Sequence, residues 1–154
     1  MELPLFPLRT VLFPGMPLPL QIFEQRYRVM TRELLDSGGE FGVLLIREGN
    51  EVGGGAVPHT VGTTAFIEQC QELPDGRFML TARGRQRFRL DRMLPPCPYP
   101  YGEVSYIYDD EDTSGDLRVA SAMETVKATF PVYFRHFDEE EVAQVYVDWL
   151  RPGR

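Results

Sequence analysis

The chain of 154 residues has very little lysine, histidine and cysteine, and each scarcity excludes a class of site. Its one lysine, two histidines and two cysteines are Lys127, His59, His136, Cys70 and Cys97. A P-loop nucleotide site needs Gly-Lys followed by Ser or Thr, and here the residue before the lysine is valine. A structural zinc site takes about four Cys or His ligands at short spacing, whereas these four are scattered singly. We therefore expect no metal and no cofactor.

The same scarcity limits catalysis. A Ser–Lys protease needs a serine that the lysine activates. Ser121 precedes Lys127 by six residues on a predicted helix, and that spacing does not place them on one helix face. A Ser–His–Asp site needs a histidine, and the two available lie in a predicted loop and between predicted helices. We expect no catalytic residues and no enzymatic activity.

Long apolar runs and excess positive charge are also missing. No run approaches the roughly 18 apolar residues that span a bilayer, and no basic start leads into an apolar leader. We therefore expect a cytoplasmic protein with no membrane partner. The 23 acidic residues outnumber the 16 basic ones, for a net charge of −7, which weighs against binding nucleic acid. Two cysteines do not make a disulfide framework, and we interpret Cys70 as a buried residue of a strand.

Proline, unlike lysine, histidine and cysteine, is abundant. Prolines at positions 4, 7, 14, 17 and 19 interrupt an apolar N-terminal segment. We interpret Leu3–Leu8 and Val11–Phe13 as two short strands. Because proline cannot donate to a sheet ladder, these strands are predicted at a sheet edge or bulge. The run Phe13-Pro14-Gly15-Met16 predicts a tight turn between apolar segments.

A helix is predicted next, since apolar residues recur with helical spacing before a pair of glycines that would end it. Its apolar face would comprise Phe23, Tyr27, Met30 and Leu34, with Gly38-Gly39 as the stop. The following strands are predicted at Phe41–Ile46 (buried on both faces), Thr63–Glu72, Phe78–Ala82, Gln86–Met93 and Tyr101–Tyr108. A loop at Glu48–Gly62, a turn at Leu73–Gly76 and a change of direction at Gly84 separate them. We divide the chain into a β subdomain, residues 1–108, and a C-terminal helical segment, residues 109–154.

Two surfaces are candidates for binding. Proline-rich apolar turns often lie exposed, so Phe13, Met16 and Leu18 are candidate peptide-binding residues, with burial under the C-terminal helices as the alternative. The second surface is basic, and Arg85, Arg87 and Arg89, with Arg83 before them, could grip an anionic partner. Pairing with the chain's many acidic residues is the simpler interpretation of this cluster.

A family resemblance is carried by PLFPLRTVLFPGMPLPLQIFEQRYRVM, residues 4–30, and by GRQRFRL, residues 84–90. Both resemble the N-terminal, substrate-binding domain of Lon proteases and stand-alone proteins built from it. The resemblance covers roughly residues 2–108 well and the helices loosely. It implies an α+β fold, a PUA-like twisted β pseudo-barrel with one inserted helix, followed by a short C-terminal helical part.

The resemblance also implies a function: a non-catalytic module that recognises exposed apolar segments of client proteins. The chain departs from full-length Lon in having neither the ATPase nor the Ser–Lys protease domain. Its helical part also stops early, near Trp149, so a second chain could complete it. A protease or chaperone in trans and a homodimer are accordingly candidate partners. The alternative is an RNA-binding PUA-like domain that uses Arg83, Arg85, Arg87 and Arg89.

Overall fold

A computed structural model describes residues 1–108 and, within a helix, residues 120–122, 124–125 and 128–129. The chain divides into two compact units, Met1–Tyr108 and Asp109–Arg154. Most of the predicted C-terminal helical part lies outside the described residues, as do Lys127, His136 and the surroundings of Trp149.

The first unit contains six strands and one helix. The elements are β1 (Glu2–Leu8), β2 (Pro17–Ile22), α1 (Gln25–Ser37), β3 (Glu40–Glu48), β4 (Val57–Glu72), β5 (Phe78–Leu94) and β6 (Tyr101–Tyr106). They form one twisted sheet in the order β2-β5-β4-β3-β1-β6. The predicted fold, a twisted sheet with one inserted helix, is confirmed.

The sheet closes on itself because β6 pairs with both β1 and β5. Five strands, β5-β4-β3-β1-β6, thereby make a ring, and β2 lies outside it against the first half of β5. Of these pairings only β1 with β3 is parallel, and β2 and α1 lie in the connection between those two strands. One strand of the described sheet, β2, therefore keeps an unpaired side.

The prolines explain how β1 and β2 pair. β2 carries Pro17 and Pro19 and is an edge strand, although no strand was predicted at these residues. An edge or bulge position was predicted for the strand at Leu3–Leu8, but β1 is not an edge strand, because it lies between β3 and β6. β1 tolerates its prolines because its two halves use different neighbours, residues 2–4 pairing with β6 and residues 5–8 with β3. The segment Val11–Phe13 was predicted as a strand and is a loop.

Helix α1 buries the predicted apolar face through Tyr27, Met30 and Leu34. It ends as predicted at Gly38, whose left-handed backbone lets its N–H donate to the carbonyl of Leu34 at 2.9 Å. Phe23 was assigned to this face but precedes the helix and is 50% exposed. The helix therefore covers the core with three of the four predicted side chains.

Strand β3 is buried on both faces, as its uninterrupted apolar run predicted. It contributes to two packed clusters. The larger lies against α1 and includes Phe6, Tyr27, Met30, Phe41 and Phe78. The smaller uses the opposite alternation of β1 and β3 and consists of Leu3, Leu5, Leu44, Phe88, Leu90 and Val104.

Strands β4 and β5 correct three expectations. Strand β5 runs unbroken from Phe78 to Leu94, so Gly84 does not interrupt it. β4 begins at Val57, inside the segment predicted as loop, and pairs with β5 along most of its length. Cys70, predicted to be buried, is exposed near the end of β4 because β4 projects beyond the core there.

Candidate functional site

The predicted turn before β2 is present. The N–H of Met16 donates to the carbonyl of Phe13 at 3.1 Å, which closes a four-residue turn. Pro14 supplies the fixed φ of the first corner, and Gly15 has φ +80°, which a residue with a Cβ rarely adopts. The sequence therefore specifies this turn through both corner residues.

The turn is held against the sheet from several directions. The N–H of Gly15 donates to the carbonyl of Gly84 at 2.8 Å, and the N–H of Gly84 donates to the carbonyl of Met16 at 2.9 Å. Nη1 of Arg83 donates to the carbonyl of Gly15 at 2.9 Å. The buried hydroxyl of Thr63 donates to the carbonyl of Leu12 at 2.6 Å. These contacts fix the main chain of the turn on β4 and β5.

Gly84 has a steric role in this arrangement. A Cβ built on it would collide with the carbonyl oxygen of Phe13, a main-chain atom that cannot swing aside. Close approach of the turn to β5, and not a change of strand direction, is therefore what requires glycine at this position.

The three predicted peptide-binding residues differ in exposure. Phe13 is 46% exposed, Met16 is half-buried, and Leu18 is 7% exposed and packs in the larger core cluster. Alternation along β2 turns Leu18 inward, so its side chain does not form part of the surface. Val11 is 47% exposed beside the turn, and the sequence reasoning missed it because it was assigned to a strand.

A groove of about 220 Å³ lies beside the second half of β2. Its lining is mainly apolar and comes from β1, the end of β2, the start of α1 and the loop between β3 and β4. Leu8, Ile22 and Tyr27 form buried parts of its wall, and Phe23 and Val52 stand exposed at its rim. The sequence offered no signal for this groove, because its walls are distant in the chain.

Ion pairs and hydrogen bonds hold the loop that forms one wall of the groove. The guanidinium of Arg26 pairs with the Glu24 carboxylate at 3.2 Å and donates to the main-chain carbonyl of Glu51 at 3.3 Å. The N–H of Gly53 donates to Glu24 at 3.3 Å, and the main-chain N–H of Arg9 donates to the Glu51 carboxylate. The acidic groups near the groove are thus already partnered.

Burial also alters the chemistry of Tyr27 at the groove wall. Loss of solvent around its ring raises the pKa of its hydroxyl to about 12, and the nearby Arg26 opposes that rise. The phenol is therefore neutral near pH 7, and the groove presents no negative charge from it.

The predicted basic surface is largely engaged within the molecule. Arg83 makes a two-pronged ion pair with Glu68, at 2.9 and 3.1 Å. Arg85 pairs with Glu40 at 2.7 Å and lies over the ring of Phe66 at 4.9 Å. Arg87 and Arg89 follow beyond the register shift between β4 and β5, the first half-buried and the second exposed. The structure thus supports the internal-pairing interpretation for two of the four arginines.

No group of three or more metal-ligating side chains comes together among the residues that the structure describes. Nor is any described helix long and apolar enough to cross a membrane.

Comparison with known proteins bears out the resemblance seen in the sequence. Residues 2–146 match the family model described as the ATP-dependent protease La (LON) substrate-binding domain. The crystal structure of a Lon N-terminal domain protein from Xanthomonas campestris is 36% identical to this chain, with a TM-score of 0.63. The alignment covers 83% of this chain and 74% of that one. The N-terminal domain of the Mycobacterium avium complex Lon protease, at 14% identity and a TM-score of 0.57, shares the fold over all of this chain and 85% of its own length.

Curated relatives are much longer than the matched region. The Lon protease of Flavobacterium johnsoniae is 27% identical over 128 residues, which is 82% of this chain and 16% of that protein. The Lon protease of Porphyromonas gingivalis is 31% identical over 110 residues, 70% of this chain and 13% of that protein. The chain thus spans about one sixth or less of the curated relatives it matches.

Proposed function

Because this chain belongs to the family of Lon substrate-binding domains, we propose that it is a non-catalytic module that binds exposed apolar segments of client proteins. Phe13 and Met16 are the contact residues of this proposal, with Val11 beside them. The curated relatives that it matches are named as Lon proteases, and the family model is named for an ATP-dependent protease, so a protease that receives the bound client is the partner we propose.

The exposure of Phe13 on a fixed turn is the observation that supports this proposal most strongly. An exposed aromatic side chain removes a large apolar area from water when a partner covers it. The turn is already held by main-chain hydrogen bonds to β5, so binding would cost little further ordering of the backbone. Aromatic anchors of this kind tend to dominate the binding energy of an interface.

A direct test measures binding of a fluorescein-labelled nine-residue peptide, Arg-Ser-Leu-Ser-Leu-Ser-Leu-Ser-Arg. We expect the full chain to bind it and Phe13→Ala to weaken binding at least about fivefold, the effect of roughly 1 kcal/mol. Met93→Ala is a matched control, since Met93 is 43% exposed and lies in the half of β5 that does not pair with β2. Equal loss in both variants, or none in Phe13→Ala, would refute the assignment of Phe13.

The RNA-binding alternative rests on the arginines of β5, and no observation favours it over the peptide. Arg83 and Arg85 already contact glutamates, and the net charge is −7. A labelled single-stranded RNA run in the same assay would separate the two, because phosphate contacts weaken steeply with salt. Tight, salt-sensitive RNA binding that Arg89→Ala abolishes would favour the alternative.

A further inference from the structure

The unpaired side of β2 has an unusual set of hydrogen-bonding groups. Main-chain groups along a strand point alternately to its two sides. The carbonyl of Met16 accepts from Gly84 of β5, so the carbonyls of Pro17, Pro19 and Gln21 point away from β5. Since proline has no N–H, this side offers three acceptors and only one donor, the N–H of Gln21. Within residues 1–108 no strand pairs with it.

The groove lies along the same part of β2. Pro19, Leu20 and Gln21 all contribute to its lining, and its buried wall is apolar. Its volume of about 220 Å³ is below the roughly 300–1,000 Å³ of pockets that enclose small molecules. An extended chain laid on β2 would instead place a single apolar side chain there.

We propose that a client segment binds as an added strand on the unpaired side of β2, donating its backbone N–H groups to the carbonyls of Pro17, Pro19 and Gln21. One of its apolar side chains then occupies the groove, between the rim residues Phe23 and Val52. This inference rests on the proposed function and adds the conformation, register and hydrogen-bond polarity of the bound segment.

The hydrogen-bond inventory identifies the occupant as a client segment and not a second copy of β2. Two copies of this edge would bring carbonyls opposite proline nitrogens that carry no hydrogen, leaving those carbonyls without donors. An unfolded polypeptide supplies an N–H at every residue except proline. The edge therefore accepts a foreign strand while disfavouring pairing with itself.

N-methylation of the labelled peptide tests the polarity of this pairing on the unmodified full chain. Two peptides are compared, one methylated at the leucine amides and the other at the serine amides. Only one set can face β2, because the N–H groups of an extended chain alternate. We expect methylation of the amides that face β2 to abolish binding, because it removes their hydrogen bonds to the three carbonyls. Methylation of the other set should change the affinity by no more than about twofold.

A protein variant tests the same edge from the other partner. Pro19→Thr adds an outward N–H to an exposed position of β2, so we expect the peptide to bind about two- to tenfold more tightly, the equivalent of one added hydrogen bond. Pro74→Thr, at an exposed position of the hairpin turn, is the matched control and should not change binding. Circular dichroism confirms that both variants are folded.

The outcomes separate this inference from the proposed function. Binding that is equally insensitive, or equally sensitive, to both methylation patterns overturns the added strand and leaves recognition of apolar segments standing. A monomeric Pro19→Thr chain that gains no affinity also overturns it, and self-association of the unmodified chain that the peptide displaces identifies a second copy as the occupant. No binding of the unmodified peptide overturns both.

Discussion

Two apolar segments of this molecule have opposite fates. Strand β3 is free of proline, pairs with β1 and β4, and is buried on both faces. The turn at Phe13–Met16 and strand β2 are just as apolar, yet β2 pairs on one side and Phe13 and Val11 are exposed. Apolar content alone therefore does not tell core from surface in this fold.

Proline spacing makes the difference. A strand that lacks N–H groups at alternate positions can complete a ladder on one side only. Pro17 and Pro19 occupy such alternate positions, and within residues 1–108 no strand pairs with the three carbonyls on their side of β2. Strand β3 therefore uses its apolar residues for stability, whereas part of β2 stays at the surface, where we propose that a client binds.

Removing a core side chain from β3 should have the largest effect on stability. Leu44 is fully buried in the smaller core cluster. Leu44→Ala should lower the free energy of unfolding by about 2–5 kcal/mol, since it leaves a cavity. Urea denaturation measures this loss. If the two regions are as separate as described, the variant that remains folded binds the peptide with unchanged affinity.

Disturbing the support of the turn should have a smaller effect on stability and a clear effect on binding. Gly84→Ala places a methyl group against the carbonyl of Phe13, which we expect to cost about 1–3 kcal/mol. The displaced turn should also bind the labelled peptide more weakly. Thr81→Ala, three residues earlier on β5, is the control. Unchanged peptide affinity in Gly84→Ala would show that the position of the turn does not matter.

Alkaline pH probes the wall between the groove and the core. The pKa of Tyr27 rises from 10.0 to about 12 on folding, so the folded state favours its neutral form. The stabilisation is complete below about pH 10 and is lost as pH rises through about 12. The urea midpoint should fall across this window, and less steeply in Tyr27→Phe. Equal slopes in the two proteins would contradict the burial of this hydroxyl.

The surface ion pairs should matter least. Arg85 pairs with Glu40 at 2.7 Å, but the arginine side chain is 59% exposed. A double-mutant cycle of Arg85→Ala and Glu40→Ala should give a coupling of about 0–1 kcal/mol, as screened pairs do. Peptide binding should not change. Loss of peptide binding in Arg85→Ala alone would show that the peptide-binding surface lies on β5 instead.

The sequence predicted those features whose causes are local. The turn at Phe13–Met16, the end of α1 at Gly38 and the buried run of β3 each follow from a few neighbouring residues. The family resemblance, carried by two local runs of residues, gave the overall fold.

Features that depend on distant contacts were not predictable in this way. Position 84 requires glycine because the carbonyl oxygen of Phe13 lies against Gly84. The two residues come together only in the folded chain. Leu18 was grouped with the surface because it follows the exposed turn, but alternation along β2 turns it into the core. The groove joins Leu8, Leu20 and Val52 from three separate elements, and no sequence pattern marks their meeting.

Photo-crosslinking tests the central claim, that the proline-rich N-terminal surface binds the client, most directly. The labelled peptide would carry a benzophenone in place of its central leucine and be irradiated with the full chain, with mass spectrometry locating the attachment. We expect saturable crosslinks within residues 11–23 and at Val52, which an excess of unlabelled peptide removes. Crosslinks confined to Arg83–Met93, or none that the competitor removes, would contradict it.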